Sequence, residues 1–290
     1  MVDKIVILAG GISSRMKERP KEIDESLFNL YNEADSKAKS MISLGEGHRP
    51  FLDYLLFNIM EAGVTNVLIV IGEKDNSIPE YYGKNGSNNK FHDLLISYAI
   101  QKIPSHRSKP WGTADALFQG LLQVPHWKGN DFLVVNSDNL YSTESLRKLI
   151  ECDSHHALID YDRDGFNFES DRVSKFAITK KNEKGFLIDI IEKPTPEQIK
   201  SCVDSEGKVR VSMNCWRFNY DQLFPYLENC PENPIRKEKE LPTAVLNMIK
   251  DYPDTVLAIP HKEHVPDLTS KDDLKPVLEY LKEKYKVFTL

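Results

Sequence analysis

The chain has 290 residues, 40% hydrophobic and 28% charged, with a formal net charge of −6, the composition of a globular protein with one large core or two small ones. Coating nucleic acid usually needs a dominant basic face, so the charge argues against a nucleic-acid partner, although not against a local cationic pocket. No apolar run approaches the roughly 18 residues needed to cross a membrane, so no membrane association is expected.

The run at 4–8 is β-branched and aliphatic and stops at Gly10-Gly11, as suits a buried parallel strand opening an α/β fold. It is too short for a signal-peptide core. Similar strands are expected at 66–71 and 131–135, with helices at 51–62, 92–101 and 113–123; Gly63 stops the first of these helices. That alternation implies right-handed parallel crossovers. Further on, strands are expected at 157–161, 174–179, 186–191 and 209–218, with a turn at Lys184-Gly185, then helices at 221–228, 241–250 and 271–284. The reading is one domain over 1–290, in two halves that divide at about residue 140. The charged stretch 17–38 and the Gly/Asn-rich stretch 81–90 read as surface loops; the sharper reading makes 17–38 a lid. Cys152, Cys202, Cys215 and Cys230 contain no CxxC pair and read as reduced thiols, which places the chain in the cytoplasm. His261 and His264 have HxxH spacing but no third ligand at helical spacing, so a zinc site is not expected.

The first string with chemistry in it is Leu8-Ala9-Gly10-Gly11-Ile12-Ser13-Ser14-Arg15-Met16. Two glycines after a strand let backbone N–H groups approach a phosphate with no Cβ in the way. Ser13 and Ser14 add donors, and Arg15 can neutralise a pyrophosphate as a bidentate fork. The string is neither GxGxxG nor GxxxxGK[ST], which argues against a dinucleotide-binding dehydrogenase and a P-loop NTPase.

The whole string resembles the signature loop of the sugar-1-phosphate nucleotidylyltransferases, and further resemblances follow in order along nearly the whole chain. The fold that this implies is a three-layer α/β/α, Rossmann-like architecture with a mixed, mostly parallel central sheet, its half to about residue 140 binding the nucleotide and its half from about 141 the sugar. Ala38-Lys39-Ser40-Met41-Ile42 before Arg49-Pro50-Phe51-Leu52-Asp53-Tyr54 resembles the family's Pro-Lys stretch, which gives Lys39 the task of offsetting charge on the α-phosphate. Trp111-Gly112-Thr113-Ala114-Asp115 resembles a Gly-Thr-Ala stretch that packs against base and ribose, assigning Gly112 and Thr113 to the nucleotide. Many relatives carry a pyrimidine-reading glutamine five residues before that glycine; this chain has Arg107 there, which can pair with guanine or point to solvent. Asn136-Ser137-Asp138-Asn139 resembles the family's Gly-Asp metal site, with serine in place of glycine. Pro266-Asp267-Leu268-Thr269 resembles the late stretch that supplies the second metal ligand, with threonine in place of glycine. Asp138 and Asp267 are thereby the expected Mg²⁺ ligands. Ile190-Ile191-Glu192-Lys193-Pro194 matches a Glu-Lys-Pro motif unchanged: Glu192 would accept from sugar hydroxyls and Lys193 would hold the sugar's phosphate. Asn139 and Asn214 join the expected sugar-phosphate side, and Glu240 is a suspect there.

The function so implied is Mg²⁺-dependent transfer of a nucleoside monophosphate from an NTP to a sugar 1-phosphate, with Arg15, Lys39 and Lys193 supplying charge. UTP or dTTP is favoured, GTP is kept open by Arg107, and a homo-oligomer is left open. Two alternatives stay on the table: a nucleotidylyltransferase with a non-sugar phosphate acceptor, and a non-catalytic sugar-nucleotide sensor on the same fold.

Overall fold

The computed structural model describes residues 2–11 and 13–286, so Ile12 of the glycine loop lies outside the described residues. In chain order the elements are β1 (Lys4–Leu8), α1 (Phe28–Ser36), α2 (Phe51–Glu61), β2 (Asn66–Gly72), α3 (Ser77–Tyr82), β3 (Asn89–Phe91), β4 (Leu94–Gln101), α4 (Thr113–Leu122) and β5 (Asp131–Asn136). They continue with α5 (Thr143–Glu151), β6 (His156–Asp162), α6 (Ser170–Val173), β7 (Ile178–Lys181), β8 (Leu187–Ile191), α7 (Pro196–Ser201), β9 (Arg210–Asn219), α8 (Tyr220–Glu228), α9 (Leu241–Asp251), β10 (Val256–His261) and α10 (Leu274–Lys284).

The sheet runs β10-β6-β9-β5-β1-β2-β4-β3, with the β7–β8 hairpin attached to β9. β1 pairs parallel with both β2 and β5, β2 with β4, and β6 with β10. β9 runs antiparallel between β5 and β6 and so joins the two ends of the chain's sheet. Parallel strands buried on both faces need apolar residues at every position, and β1 supplies them: Ile5 and Ile7 face one layer, Val6 and Leu8 the other. The first layer packs α2, α5 and α10 against the sheet through Leu55, Leu146 and Val277; the second packs α4, α8 and α9 through Leu117, Leu223 and Val245.

Several expectations are corrected, among them the stretch 81–90, expected as a loop, which takes in the end of α3 and the start of β3. The helix expected at 92–101 is strand β4, which pairs with β2 from Asn66↔Leu95 to Gly72↔Gln101. Its Ile96, Tyr98 and Ile100 suit a pleated surface, and sheet pairing decides what a short apolar run leaves ambiguous. The strand expected at 174–179 begins only at Ile178, because residues 170–173 wind into a helical turn closed by Ser174 N–H donating to Ser170 O. The stretch 17–38 contains α1 and is stapled to the start of the C-terminal helix: Lys271 Nζ meets Asp35 at 2.6 Å, Lys275 Nζ meets Asp24 at 2.9 Å, and Lys21 N donates to Asp272 Oδ1 at 2.8 Å.

From β1 the chain crosses one way to β2 and β4, then the other way to β5. The sheet therefore has a switch point between β1 and β5, and a crevice opens there at their carboxyl ends.

Candidate active site

A cavity of about 350 Å³ occupies that crevice. Its floor comes from the end of β1 and the turn after it, Leu8, Ala9, Gly10, Gly11 and Ser13, and from the end of β5 and the turn after it, Asn136, Ser137 and Asp138. The two turns are tied by Ser137 N donating to Leu8 O at 3.1 Å. Ser13 takes a left-handed conformation, φ 53°, which turns the chain into a single 3-10 turn at Ser14–Lys17. Gly10 leaves room for the Gln101 carboxamide: a Cβ there would stand 2.7 Å from Gln101 Oε1 and would displace it.

Lys39 reaches in from a 3-10 turn and pairs with Asp138 Oδ2 at 3.0 Å, both side chains largely buried. The loop after β10 lies alongside: Leu268 N donates to Asp138 O, Leu140 N donates to Pro266 O, and Asn139 bridges to Asp267. These contacts bring the carboxylates of Asp138 and Asp267 together from positions 129 residues apart in sequence (267 − 138). Burial, and then the Asp138 charge, push the Asp267 carboxyl up, against the pull of Arg172. Arg172 donates to Asp267 Oδ2 at 2.6 Å and also binds Asp273, while Thr269 Oγ1 donates to the same Oδ2 at 2.8 Å. Asp267 Oδ2 is thus saturated, and of the two aspartates only Asp138 lines the cavity.

Among the described residues no group of three or more His, Cys, Asp and Glu side chains could cage a metal by itself. Two carboxylates fit Mg²⁺ nonetheless, because that ion keeps waters and completes its octahedron with substrate phosphate oxygens.

The opposite wall comes from the later part of the chain. Glu192 at the end of β8 and Asn214 in β9 both line the cavity. Asn214 is left-handed, φ 56°, at an irregularity in the β6–β9 pairing, which re-aims the strand there. Arg236, Glu238 and Glu240 enter from the loop before α9. Arg236 pairs with Glu240 at 2.5 Å and with Glu192 at 3.5 Å, setting a guanidinium between two carboxylates.

Of the expected residues the cavity wall gathers Leu8, Ala9, Gly10, Gly11, Ser13, Lys39, Gly112, Thr113, Asp138, Glu192 and Asn214, and of the stretch 17–38 only Ala38. Ser14 and Arg15 sit exposed on the 3-10 turn, outside that wall, and Lys193 is exposed with a left-handed backbone, φ 48°. Asn139 is buried, its Oδ1 facing the Tyr141 hydroxyl at 3.3 Å, and does not line the cavity. Arg107 does not line it either: its guanidinium is engaged by Glu232 at 2.9 Å and by the Lys237 carbonyl. Thr113 Oγ1 accepts from Leu241 N at 2.9 Å, so its hydroxyl also caps the start of α9.

Sequence reasoning passed over Gln101, Lys109 and Arg236. Gln101 closes β4 and donates Nε2 to Gly112 O at 3.1 Å and to Asp115 Oδ2 at 2.8 Å, leaving its Oε1 toward the cavity floor. The signal was a glutamine ending an apolar run, hidden by reading that run as a helix. Arg236 lies in the run Arg-Lys-Glu-Lys-Glu, which by composition reads as solvated surface.

A family model described as nucleotidyl transferase matches residues 4–252. Glucose-1-phosphate adenylyltransferase of Dechloromonas aromatica (strain RCB) is 27% identical over 229 residues, 77% of this chain and 47% of that protein. D-glycero-alpha-D-manno-heptose 1-phosphate guanylyltransferase of Aneurinibacillus thermoaerophilus is 23% identical over 146 residues, 50% of each chain. The crystal structure of UDP-glucose pyrophosphorylase complexed with UDP-glucose superposes with a TM-score of 0.68, covering 98% of this chain and 100% of that one at 17% identity, a likeness of fold. The chain spans about half the length of the curated relatives it matches.

Proposed function

The chain belongs to the nucleotidyl transferase family, and from that premise we propose that it joins the nucleoside monophosphate of an NTP to a sugar 1-phosphate, releasing pyrophosphate. The observation that carries the reading is the make-up of one cavity. A glycine-built phosphate cradle and Lys39 form one side, and Glu192, Asn214 and Arg236 form the other, with Asp138 on the floor between them. A site for one small ligand has no use for both sets.

An oxygen of the sugar phosphate attacks the α-phosphorus in line. The new O–Pα bond forms as the bond from Pα to the bridging oxygen breaks, and the electron pair leaves on pyrophosphate. The attacking oxygen is already anionic, so no general base is needed. What the protein supplies is position and charge. Backbone N–H groups of the Gly10-Gly11 turn approach the phosphates, Lys39 offsets charge at the α-phosphate, and Arg15, exposed outside the cavity wall, is assigned to the leaving pyrophosphate. Arg236 and Lys193 take the phosphate of the acceptor, while Glu192 and Asn214 take its hydroxyls. Asp138 and Asp267 would hold Mg²⁺, which when bound supplies further neutralisation of phosphate charge.

For the base, Gln101 is in place: its amide hydrogens are taken by Gly112 O and Asp115, so it offers an acceptor, which suits the N3–H of uracil or thymine and also the N1–H of guanine. UTP or dTTP is favoured from the family resemblance; Arg107, the reason for keeping GTP open, is engaged with Glu232. The four free cysteines suit a reducing compartment, and the cytoplasm is the proposed location. Among the described residues no helix is long and apolar enough to cross a membrane.

The test is a pyrophosphate-release assay with Mg²⁺, crossing NTPs with sugar 1-phosphates. Release requiring both partners supports the reading and names base and sugar together. Release only with a non-sugar phosphate moves the assignment to a different acceptor. Tight binding of a nucleotide sugar with no exchange of labelled pyrophosphate moves it to a sensor.

A further inference from the structure

The outer wall of the cavity is made by two loops, residues 102–112 after β4 and residues 229–240 between α8 and α9. The first brings Lys109, Pro110 and Gly112 to the cavity beside the glycine turn, and the second brings Arg236, Glu238 and Glu240 beside Glu192. One loop thus borders the nucleotide side and the other the acceptor side.

The loops lock together around Trp111. Glu232 Oε2 accepts from Trp111 Nε1 at 2.8 Å and from Arg107 at 2.9 Å. The Arg107 guanidinium lies 5.4 Å from the centre of the indole and the Lys239 ammonium 4.4 Å from it, both at cation–π distance. Backbone contacts repeat the join: Lys239 N donates to Trp111 O at 2.6 Å, and Ala114 N donates to Lys239 O at 2.9 Å. Trp111 is the one side chain that touches every member of this set, namely Arg107 from its own loop and Glu232 and Lys239 from the other.

We propose that Trp111 is a positioning residue that makes the two loops a single latch, so that a ligand on the nucleotide side orders the acceptor side as well. Two loops joined this way move as one, so a ligand that tightens one loop tightens the other and the second ligand meets a stiffer wall. Linkage makes the effect reciprocal: each ligand tightens the other by the same factor, on the order of 5-fold or more. The identity of the ligands rests on the proposed reaction; the latch itself does not.

Two measurements test it on Trp111→Ala, Trp111→Phe and Glu232→Gln. The first is amide hydrogen exchange of the ligand-free protein over 102–116 and 229–241. The latch requires both loops to exchange faster in Trp111→Ala, although only one was altered, and Trp111→Phe, which keeps a ring for the cations, to recover part of the protection. Faster exchange confined to 102–116 overturns the proposal. The second is calorimetric affinity for glucose 1-phosphate with and without α,β-methylene-UTP, which cannot release pyrophosphate, in the presence of Mg²⁺. In the unaltered protein the analogue tightens glucose 1-phosphate at least about 5-fold; in Trp111→Ala that factor falls below about 2 while each ligand still binds alone. Coupling retained in Trp111→Ala refutes the latch. If neither probe binds the unaltered protein, the proposed reaction or base has failed, and hydrogen exchange alone decides the latch. Should Trp111→Ala not fold, Trp111→Phe and Glu232→Gln carry both tests.

Discussion

Gly112→Ala is the substitution whose effect can be worked most fully from the structure. Gly112 has φ 101° and ψ −177°, a region essentially reserved for glycine, and placing an L-residue there costs about 1–3 kcal/mol. A Cβ would also collide with the Lys239 backbone carbonyl, an atom that cannot rotate out of the way. Relief requires the loops to part, which breaks Lys239 N to Trp111 O and Ala114 N to Lys239 O; two such bonds are worth about 1–3 kcal/mol together. The expected loss is therefore about 2–6 kcal/mol. For a chain of this size each kcal/mol lowers Tm by about 2–4 °C. Urea denaturation followed by circular dichroism measures the loss directly. Gly86→Ala is the control: nothing stands within 4 Å of its Cβ position and its φ is ordinary, so that variant should stay within about 0.5 kcal/mol of the parent. A Gly112→Ala protein as stable as Gly86→Ala would show that the two loops do not meet as described.

Gly10→Ala should leave stability nearly intact, since Gln101 can yield, but displacing the Gln101 carboxamide should raise KM for the NTP about 10-fold, roughly the worth of one displaced hydrogen bond; an unchanged KM contradicts the role of Gln101. Burial alone would raise the Asp204 carboxyl, but hydrogen bonds from Arg210, Lys208 N–H and Lys181 bring it down to about 2. A depressed carboxyl stabilises the fold above its unfolded value of about 3.9 and loses that contribution as pH falls toward 2, so Asp204→Asn should cost about 2–3 kcal/mol at pH 7 and progressively less below pH 4. A constant difference from pH 7 to pH 3 refutes this. Asp35→Ala removes the partner of the Lys271 ammonium, whose side chain is 7% exposed. It should cost about 1–2 kcal/mol, and Lys271→Met should cost less because it removes the buried charge itself; equilibrium denaturation of the two variants checks the order.

The central parallel strands were legible because their signal is local. Lys4–Leu8 and Asp131–Asn136 are continuous apolar runs ending in glycine or a polar turn, and such runs have few alternatives. β4 was not legible: Leu94–Gln101 mixes burial on both sides, and its identity comes from pairing with β2, a contact that sequence spacing does not display. α1 was missed because it buries only Ala34 within itself and is held by ion pairs to the far end of the chain. The same division runs through the candidate site. Gly10, Gly11 and Asp138 could be read because strand ends place them, whereas Arg236 and Lys109 reach the cavity only because two loops interlock. Arg172 had no sequence signal at all, since its meaning depends on Asp267 and Asp273, 95 and 101 residues away.

The central claim is that Asp138 serves a two-substrate nucleotidyl transfer, and the most direct test is initial-rate pyrophosphate release with Mg²⁺ for the unaltered protein and Asp138→Asn. Both substrates are to be varied and folding checked by circular dichroism. The expected result is release that requires both substrates in the unaltered protein, with a loss of at least about 1,000-fold in the variant, comparable to removing a principal electrostatic group from a transfer site. A folded Asp138→Asn protein that releases pyrophosphate at the parent's rate, or a parent that releases it without any phosphate acceptor, would contradict the claim.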